Sequence, residues 1–359
     1  MDKARHVLIL NRRCIRHPER GGAEIYTFEL AKALTGRGID VEWFSSRPAS
    51  LGEEEQIGGV KFVRKGNEFT SHVHGLLYAR KKRNWLIIDE FNGIGFFTFL
   101  LPRSILLVHQ LYGELWRAAF GRWGSLFWGI EKLLLRRYRR RPAMTVSPST
   151  AGDLREIGFG DVTTIPNGLE IEPVKEIPEK EDSLTLAYLG RLKKTKNPEG
   201  AIEAFLTIRK DVRNAQLWIL GEGPLDGELK RRYSSEKGVR FFGYVGEREK
   251  FERLKKAHFL VIPSIREGWG QVVIQANAMG TPAVGADVRG LRDSIRDGRT
   301  GILAKDSREM AQEMLRIWRD RRAYGEMCRA SIEWASHFSW QKTGEDFISF
   351  LESRSYLWT

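Results

Sequence analysis

The sequence predicts an α/β protein made of two doubly wound, Rossmann-like domains facing a cleft. Two observations carry this. Strand-like apolar runs alternate with glycine-bearing turns and helical segments, and the alternation occurs twice, on either side of a polar, proline-containing stretch. The chain has 359 residues, 42% of them hydrophobic and 29% charged. At roughly 100 to 200 residues per domain, that length supports two cores.

The first occurrence runs "HVLILN" (6–11), "RGGAEIYTFELAKALTGRG" (20–38) and "DVEWFSS" (40–46), read as strand, turn with helix, and strand. "GEEEQ" (52–56) reads as a solvated loop. "EIEPVKEIPEKEDS", Glu170 to Ser183, reads as a linker, because prolines and clustered charges break both helical and strand periodicity. The second occurrence is "LTLAYLGR" (184–191), "NPEGAIEAFLTIRK" (197–210) and "AQLWILGEGP" (215–224). Such alternation lays parallel strands under crossover helices, and open sheets of this kind bind ligands beyond the carboxyl ends of their strands.

Several function classes are excluded or weakened. The longest uncharged apolar stretch, Phe91 to Pro102, falls short of the ~20 residues that a spanning helix needs. "HVLIL" is too short for a signal segment, so the expected location is the cytoplasm. Cys14 and Cys328 lie in different halves, which fits two ordinary thiols better than a disulfide or a metal site.

The net charge of +13 is concentrated: residues 115–141 hold eight bases against a single acid, Glu131. Within them Trp116, Phe120, Trp123, Phe127, Ile130, Leu134 and Tyr138 recur at steps of three and four. That spacing predicts an aromatic stripe on one helical face, flanked by Arg117, Arg122, Lys132 and the run Arg136 to Arg141. Two readings stand open: a face for an anionic membrane surface through Leu115–Arg141, and a core helix with a solvated basic end. No zinc-ligand spacing, helix-turn-helix pattern or aromatic RNA-binding signature accompanies the basic run, so nucleic acid is not an expected partner.

The candidate chemistry lies in the second half. In "YLGRLKKTKNPEGAIEAF" (188–205) a strand ends at Gly190, Arg191 and Lys196 follow, and Asn197 with Pro198 forms a good N-cap and first helical residue. Two cations beside a helix N-terminus favour an anion, and a diphosphate fits that set. Further on, "SIREGWGQVVIQANAMG" (264–280) places a glycine-flanked Glu267 before a helix that carries Gln275 eight positions later.

In order and spacing, "LWILGEGP" (217–224), "FFGYVG" (241–246), "AHFLVIPS" (257–264), "REGWGQVVIQANAMGTPAV" (266–284) and "IRDGRTGIL" (295–303) resemble the family 4 glycosyltransferases of the GT-B fold. The resemblance extends through "RGGAEIY" (20–26), "LLVHQLYGELW" (106–116), "TVSPSTAGDL" (145–154), "TIPNGLE" (164–170) and the tail "FSWQKTGEDFISFLE" (338–352). It implies an acceptor domain over residues 1–170, completed by a helix at about 339–359 that crosses back onto it. A donor domain then spans 171–338.

The resemblance also implies roles. Arg191 and Lys196 match residues that bind the donor diphosphate, and Glu267 matches one that touches sugar hydroxyls. The backbone of Gly268, Trp269 and Gly270 matches amides near sugar and phosphates. Gly243, Tyr244 and Val245 match a loop that reads the base, and Gly21 with Gly22 matches a close backbone approach to phosphates or acceptor. His109 matches a histidine near the transferred sugar. The expected activity is retaining transfer of a sugar from a nucleotide-diphosphate sugar to a glycan or lipid-linked acceptor. That sugar nucleotide is a co-substrate; no other cofactor is expected. The chain contains no Asp-X-Asp pair to bridge a metal to the diphosphate, so no metal is expected. Beside the transferase stand a catalytically impaired nucleotide-sugar-binding homologue and, with less support, an anionic-polymer binder.

Gln275 occupies the position where the resemblance places a second acidic residue, against the ribose diol. A carboxylate accepts from both hydroxyls; an amide accepts from one and donates to the other. Binding survives in principle with less charge assistance, so Gln275→Glu is expected to keep or improve donor affinity.

Overall fold

The computed structural model describes residues 5–357 and divides the chain into two compact units. Unit 1 is the chain up to Gly168 together with Ser339 onward, and unit 2 is Leu169–Phe338.

Unit 1 holds an eight-stranded sheet of β1 (His6–Leu10), β2 (Asp40–Ser45), β3 (Glu54–Ile57), β4 (Val60–Arg64), β5 (Leu86–Glu90), β6 (Ser104–Val108), β7 (Ala143–Thr145) and β8 (Val162–Thr164). Their spatial order is β3-β4-β2-β1-β5-β6-β7-β8, parallel throughout except for the β3–β4 hairpin. "GEEEQ" therefore supplies most of an edge strand where the sequence reads only as loop. β5 and β6 are buried along their whole length, which fits the apolar Leu86–Ile88 and Ile105–Val108 runs: helices cover both faces of the sheet. Crossovers are made by α1 (Gly22–Thr35), α2 (Ser71–Lys81), α3 (Gly113–Phe120) with α4 (Gly124–Tyr138), and α5 (Pro148–Ile157). A C-terminal helix, Trp340–Glu352, lies against α1, where Gly344 meets Ala33 too closely for a larger side chain.

Unit 2 is a six-stranded, all-parallel sheet in the order β11-β10-β9-β12-β13-β14. Its strands are β9 (Thr185–Leu189), β10 (Gln216–Leu220), β11 (Val239–Gly243), β12 (Phe259–Ile262), β13 (Ala283–Ala286) and β14 (Gly301–Ala304). They alternate with α6 (Pro198–Asp211), α7 (Asp226–Tyr233), α8 (Glu247–Lys256), α9 (Gln271–Ala278), α10 (Leu291–Ser294) and α11 (Ser307–Arg319), and α12 (Arg321–Ala335) closes the unit. Leu186, Phe205, Leu217, Phe259, Val261 and Met314 are among the residues of its buried core.

Two expectations change. The segment 115–141 is not one helix with a single aromatic face. Gly121, at φ 55°, breaks it, and α4 folds back so that Gly124 abuts the α3 backbone at Arg117, where no Cβ fits. Trp116, Phe120 and Phe127 then cluster with ring centroids 4.7–5.8 Å apart. Glu131, buried, accepts from Trp116 Nε1 at 2.8 Å and from the Tyr112 amide at 3.0 Å, and so ties the hairpin together. Tyr138 is core rather than surface.

Residues 170–183 form no helix or strand, yet they are not a free tether. The Val174 amide donates to Ala278 O at 2.8 Å and the Glu181 amide to Lys256 O at 3.0 Å. Lys180 Nζ reaches Lys255 O at 2.9 Å and Thr281 Oγ1 at 2.8 Å. Burial pulls the Lys180 ammonium down to about 8 from its ordinary 10.5. The unfolded chain then holds this proton more tightly than the folded one, so stability rises as pH climbs from about 8 to about 10.5. Lys180→Met removes that dependence. Relative to the wild type it is expected to be more stable at pH 7 than at pH 10, by ~2 kcal/mol in the difference, measured by urea unfolding at both pH values. An unchanged difference would reject the burial of this charge.

Candidate functional site

In each sheet the strand order reverses at one point, and there the loops leaving adjacent strands diverge and open a crevice. In unit 2 the reversal lies between β9 and β12, and in unit 1 between β1 and β5. Most sequence-predicted residues fall on the loops at these points or on loops and strand ends beside them, whereas Gly22 opens α1 and Gln275 lies within α9.

In unit 2 the loop after β9 carries Arg191 and Lys196. Tyr188 Oη donates to Arg191 O at 3.3 Å, which pins the loop where it leaves the strand. Asn197, at φ 46°, caps α6 by accepting from the Gly200 amide at 3.3 Å, and Pro198 takes the first helical position. The cap uses one of the helix's free amides, so much of the positive charge here rests on the two side chains. The loop after β12 brings Glu267 to meet them: Lys196 Nζ lies 2.5 and 2.6 Å from its two oxygens, and Ser264 Oγ donates to it at 2.7 Å. Arg191 is half-buried and has no carboxylate partner among the described residues.

Gly270, at φ 89°, turns this loop into α9, whose N-terminus has no side-chain cap. A Cβ at Gly270 would press on Ser294 Oγ at 2.9 Å and Leu291 Cδ2 at 3.0 Å, so both backbone angle and space demand glycine. Gly268 is partly exposed, whereas Trp269 is buried against Phe338 with ring centroids 5.4 Å apart. Beside them, the loop after β10 runs against the loop after β9 so closely that a Cβ at Gly223 would stand 2.5 Å from Leu192 O. Its Glu222 Oε1 accepts from the Tyr244 amide at 3.1 Å and so holds the Gly243–Val245 turn. Tyr244 is exposed and Val245 buried. Gln275, on α9, is buried, and its amide donates to Glu170.

Unit 1 gathers a different set. Gly21 caps α1, and its amide donates to Glu24 Oε2 at 2.6 Å. An added Cβ at Gly22 would meet nothing within 4 Å, so the space over this helix start is open. His109, just past β6, is buried with its ring edge against Tyr26, centroids 5.3 Å apart. Its Nε2 lies 3.2 Å from Oε1 of Glu90, the last residue of β5, while Thr27 Oγ1 donates to Glu90 Oε2 at 2.6 Å. Burial first, and then the charge of Glu90, push the Glu24 carboxyl above its ordinary range.

Lys196 and Glu267 are thus in direct contact, with Arg191 on the same loop as Lys196. Gly21, Gly22 and His109 belong to unit 1 and form a separate cluster. Sequence reasoning missed Glu90, Thr27, Ser264, Glu222 and Glu170. The one available signal was a pair of acids, Asp89 and Glu90, closing an apolar strand. Asp89 is structural, fully buried and bonded to Tyr138 Oη at 2.7 Å and Thr98 Oγ1 at 2.8 Å. Among the described residues no group of three or more His, Cys, Asp or Glu side chains could hold a metal ion.

Residues 20–173 match the family described as Glycosyltransferase Family 4, and residues 183–320 match Glycosyl transferases group 1. The chain is 29% identical over 209 residues to a glycogen synthase of Mycobacterium tuberculosis, covering 55% of this chain and 50% of that protein. It spans about half the length of the curated relatives it matches. A sucrose-phosphate synthase from Thermosynechococcus elongatus superposes with a TM-score of 0.78 at 19% identity, over 97% of this chain and 98% of that one. HepE from Anabaena, in complex with UDP-glucose, does so with a TM-score of 0.68 at 15% identity, over 97% and 99%.

The buried Glu90 anchors its cluster. Glu90→Ala leaves the Thr27 hydroxyl without its acceptor and opens a gap beside the His109 ring, and is expected to destabilise unit 1 by about 2 kcal/mol, whereas Glu90→Gln, which keeps shape and one acceptor, costs less. Chemical unfolding of both variants checks this, and equal stability of Glu90→Ala and wild type would refute it.

Proposed function

The chain belongs to the family 4 glycosyltransferases, with the GT-B fold, and from that premise we propose that it transfers a sugar from a nucleoside-diphosphate sugar to a glycan or lipid-linked acceptor. One observation carries the reading. At the unit 2 switch point a lysine, a carboxylate and the glycine turn into α9 converge beside an arginine that has no carboxylate partner among the described residues. Arg191 grips the diphosphate in bidentate fashion, and Lys196 exchanges part of its contact with Glu267 for a phosphate oxygen. These cations take the place of a metal in stabilising the departing diphosphate. Glu267 holds sugar hydroxyls, the amides of Gly268 to Gly270 approach sugar and phosphates, and the Gly243–Val245 turn faces the base. The configuration at the anomeric carbon is retained: as the bond from that carbon to the diphosphate breaks, the acceptor oxygen bonds on the same face, and the leaving phosphate takes the acceptor's proton.

A second element concerns where the acceptor is presented. We read unit 1 as resting on an anionic membrane surface on the cytoplasmic side, which suits a lipid-linked acceptor. No described helix is long and apolar enough to cross a membrane. On α4, Leu126, Ile130 and Leu133 are exposed, followed by Arg136, Arg137, Arg139 and Arg140. On α2, Gly75 and Ala79 face inward and Val73 and Leu77 are exposed, as is Phe69 just before the helix, with Arg80 and Lys81 at its end. The β4-to-β5 and β6-to-β7 connections run in the same direction across the sheet, so right-handed crossovers set α2 and α4 on the same face. Apolar stripes ending in cations suit the boundary between headgroups and acyl chains.

Two experiments test these readings. Thermal stabilisation by a panel of nucleotide sugars identifies the donor, because a ligand of the folded state raises the melting temperature. With that donor, Arg191→Ala and Lys196→Ala are each expected to cost roughly 2 to 4 kcal/mol in kcat/KM. Activity within threefold of the wild type in both would overturn the diphosphate site, and binding without transfer to any acceptor would identify a non-catalytic homologue. For the membrane, replacing Arg136, Arg137, Arg139 and Arg140 by Gln is expected to weaken binding to phosphatidylserine vesicles at least tenfold, since each such charge contributes about 1 kcal/mol. Undiminished vesicle binding would overturn the membrane reading.

A further inference from the structure

The neutral Gln275 leaves open which group supplies the carboxylate that a ribose diol favours, and the surroundings of Gln275 answer it. The amide Nε2 donates to Oε1 of Glu170, and Lys250 Nζ donates to the same oxygen at 3.1 Å. Lys250 also reaches Glu247 Oε2 at 2.8 Å. Gln275 and Lys250 are both buried, whereas the Glu170 side chain is 30% exposed. Both bonds go to Oε1, and Oε2 has no hydrogen-bond partner among the described residues. One oxygen of the carboxylate is therefore held and the other is free.

The placement matters as much as the bonds. Lys250 stands one turn into α8, the helix that follows the Gly243–Val245 turn, and Gln275 one turn into α9, the helix that follows Glu267. Glu170 sits where these two helices approach one another. We propose that Glu170 is the residue that accepts from the ribose hydroxyls of the donor nucleotide, with Gln275 and Lys250 as positioning residues that hold its carboxylate. The carboxylate lost from position 275 is thus supplied from position 170. A hydrogen-bond donor at 275 is then a requirement rather than a defect: an amide can clamp a neighbouring carboxylate, whereas a second carboxylate would repel it. This inference rests on the nucleotide reading given above, and it reverses the sign that the sequence suggests for Gln275→Glu.

The test uses the full chain and isothermal titration with UDP, GDP and ADP, each beside its 2′-deoxy form. With the nucleotide that binds the wild type, Glu170→Gln is expected to weaken the ribose form about tenfold and to bring the ribose and 2′-deoxy affinities together, the loss of one charge-assisted hydrogen bond. A role confined to folding would leave that ratio unchanged. Gln275→Glu with Glu170 in place is expected to weaken binding, and the double variant Glu170→Gln/Gln275→Glu, which exchanges amide and carboxylate, to recover to within about threefold of the wild type. Wild-type affinity in Glu170→Gln, or tighter binding in Gln275→Glu, would overturn the assignment while leaving the nucleotide site standing. If the wild type bound none of these nucleotides, the donor-site reading would fall, and this inference with it.

Discussion

An ammonium held 2.5 Å from a carboxylate organises the switch point of unit 2. Lys196 and Glu267 are 71 residues apart and meet only because the chain, having laid β10 and β11 on one side of β9, returns to lay β12 on the other. The reversal places the two loops side by side at the strand ends. Each charge alone would be costly in a partly buried position, and together they satisfy one another. Ser264 takes up a further position on the carboxylate, so Glu267 is oriented before any ligand arrives. Preorganisation of this kind is what electrostatic stabilisation of a leaving group requires, because no reorganisation remains to be done when charge develops.

The loops reach these positions because glycine removes obstacles. At Gly223 and Gly270 a side chain would displace a neighbouring strand-end loop or the turn into α9. Unit 1 uses a different device. Its switch point sets two buried acids beside the arginines of the loop after β1, with Glu24 bonded to the Gly21 amide and Glu90 between Thr27 and His109. The two units of one fold thus differ in chemistry because different residues end their strands.

The outer layer of unit 1 inverts the usual amphipathic rule. On α2 the small residues Ser71, Gly75 and Ala79 are buried, with Phe96 filling the space beneath Gly75, while Val73 and Leu77 are turned outward and Leu76 and Tyr78 pack at the margin of the core. On α4 the interior is met by Glu131, Leu135 and Tyr138, which again leaves leucines and an isoleucine outside. Arginines, with Lys81 on α2, follow these exposed side chains at the ends of both helices.

The sequence by itself determined the fold class, the doubling of the α/β unit and the positions of Arg191, Lys196, Asn197 and Glu267. Each of these is written locally, in strand periodicity, a proline after a capping residue, or a glycine-flanked acid. It also marked the basic segment 115–141, although not its break at Gly121, because the three-and-four spacing of its aromatic residues continues through the turn. Only the tertiary structure decided which groups meet across the chain. Glu90 against His109, Ser264 on Glu267, and above all Glu170 on Gln275 join residues whose separations carry no periodic signal. Such contacts are set by strand order and by the approach of helices from distant crossovers. For that reason the neutral residue at 275 reads in the sequence as a missing charge, and in the structure as the clamp on a charge supplied from elsewhere.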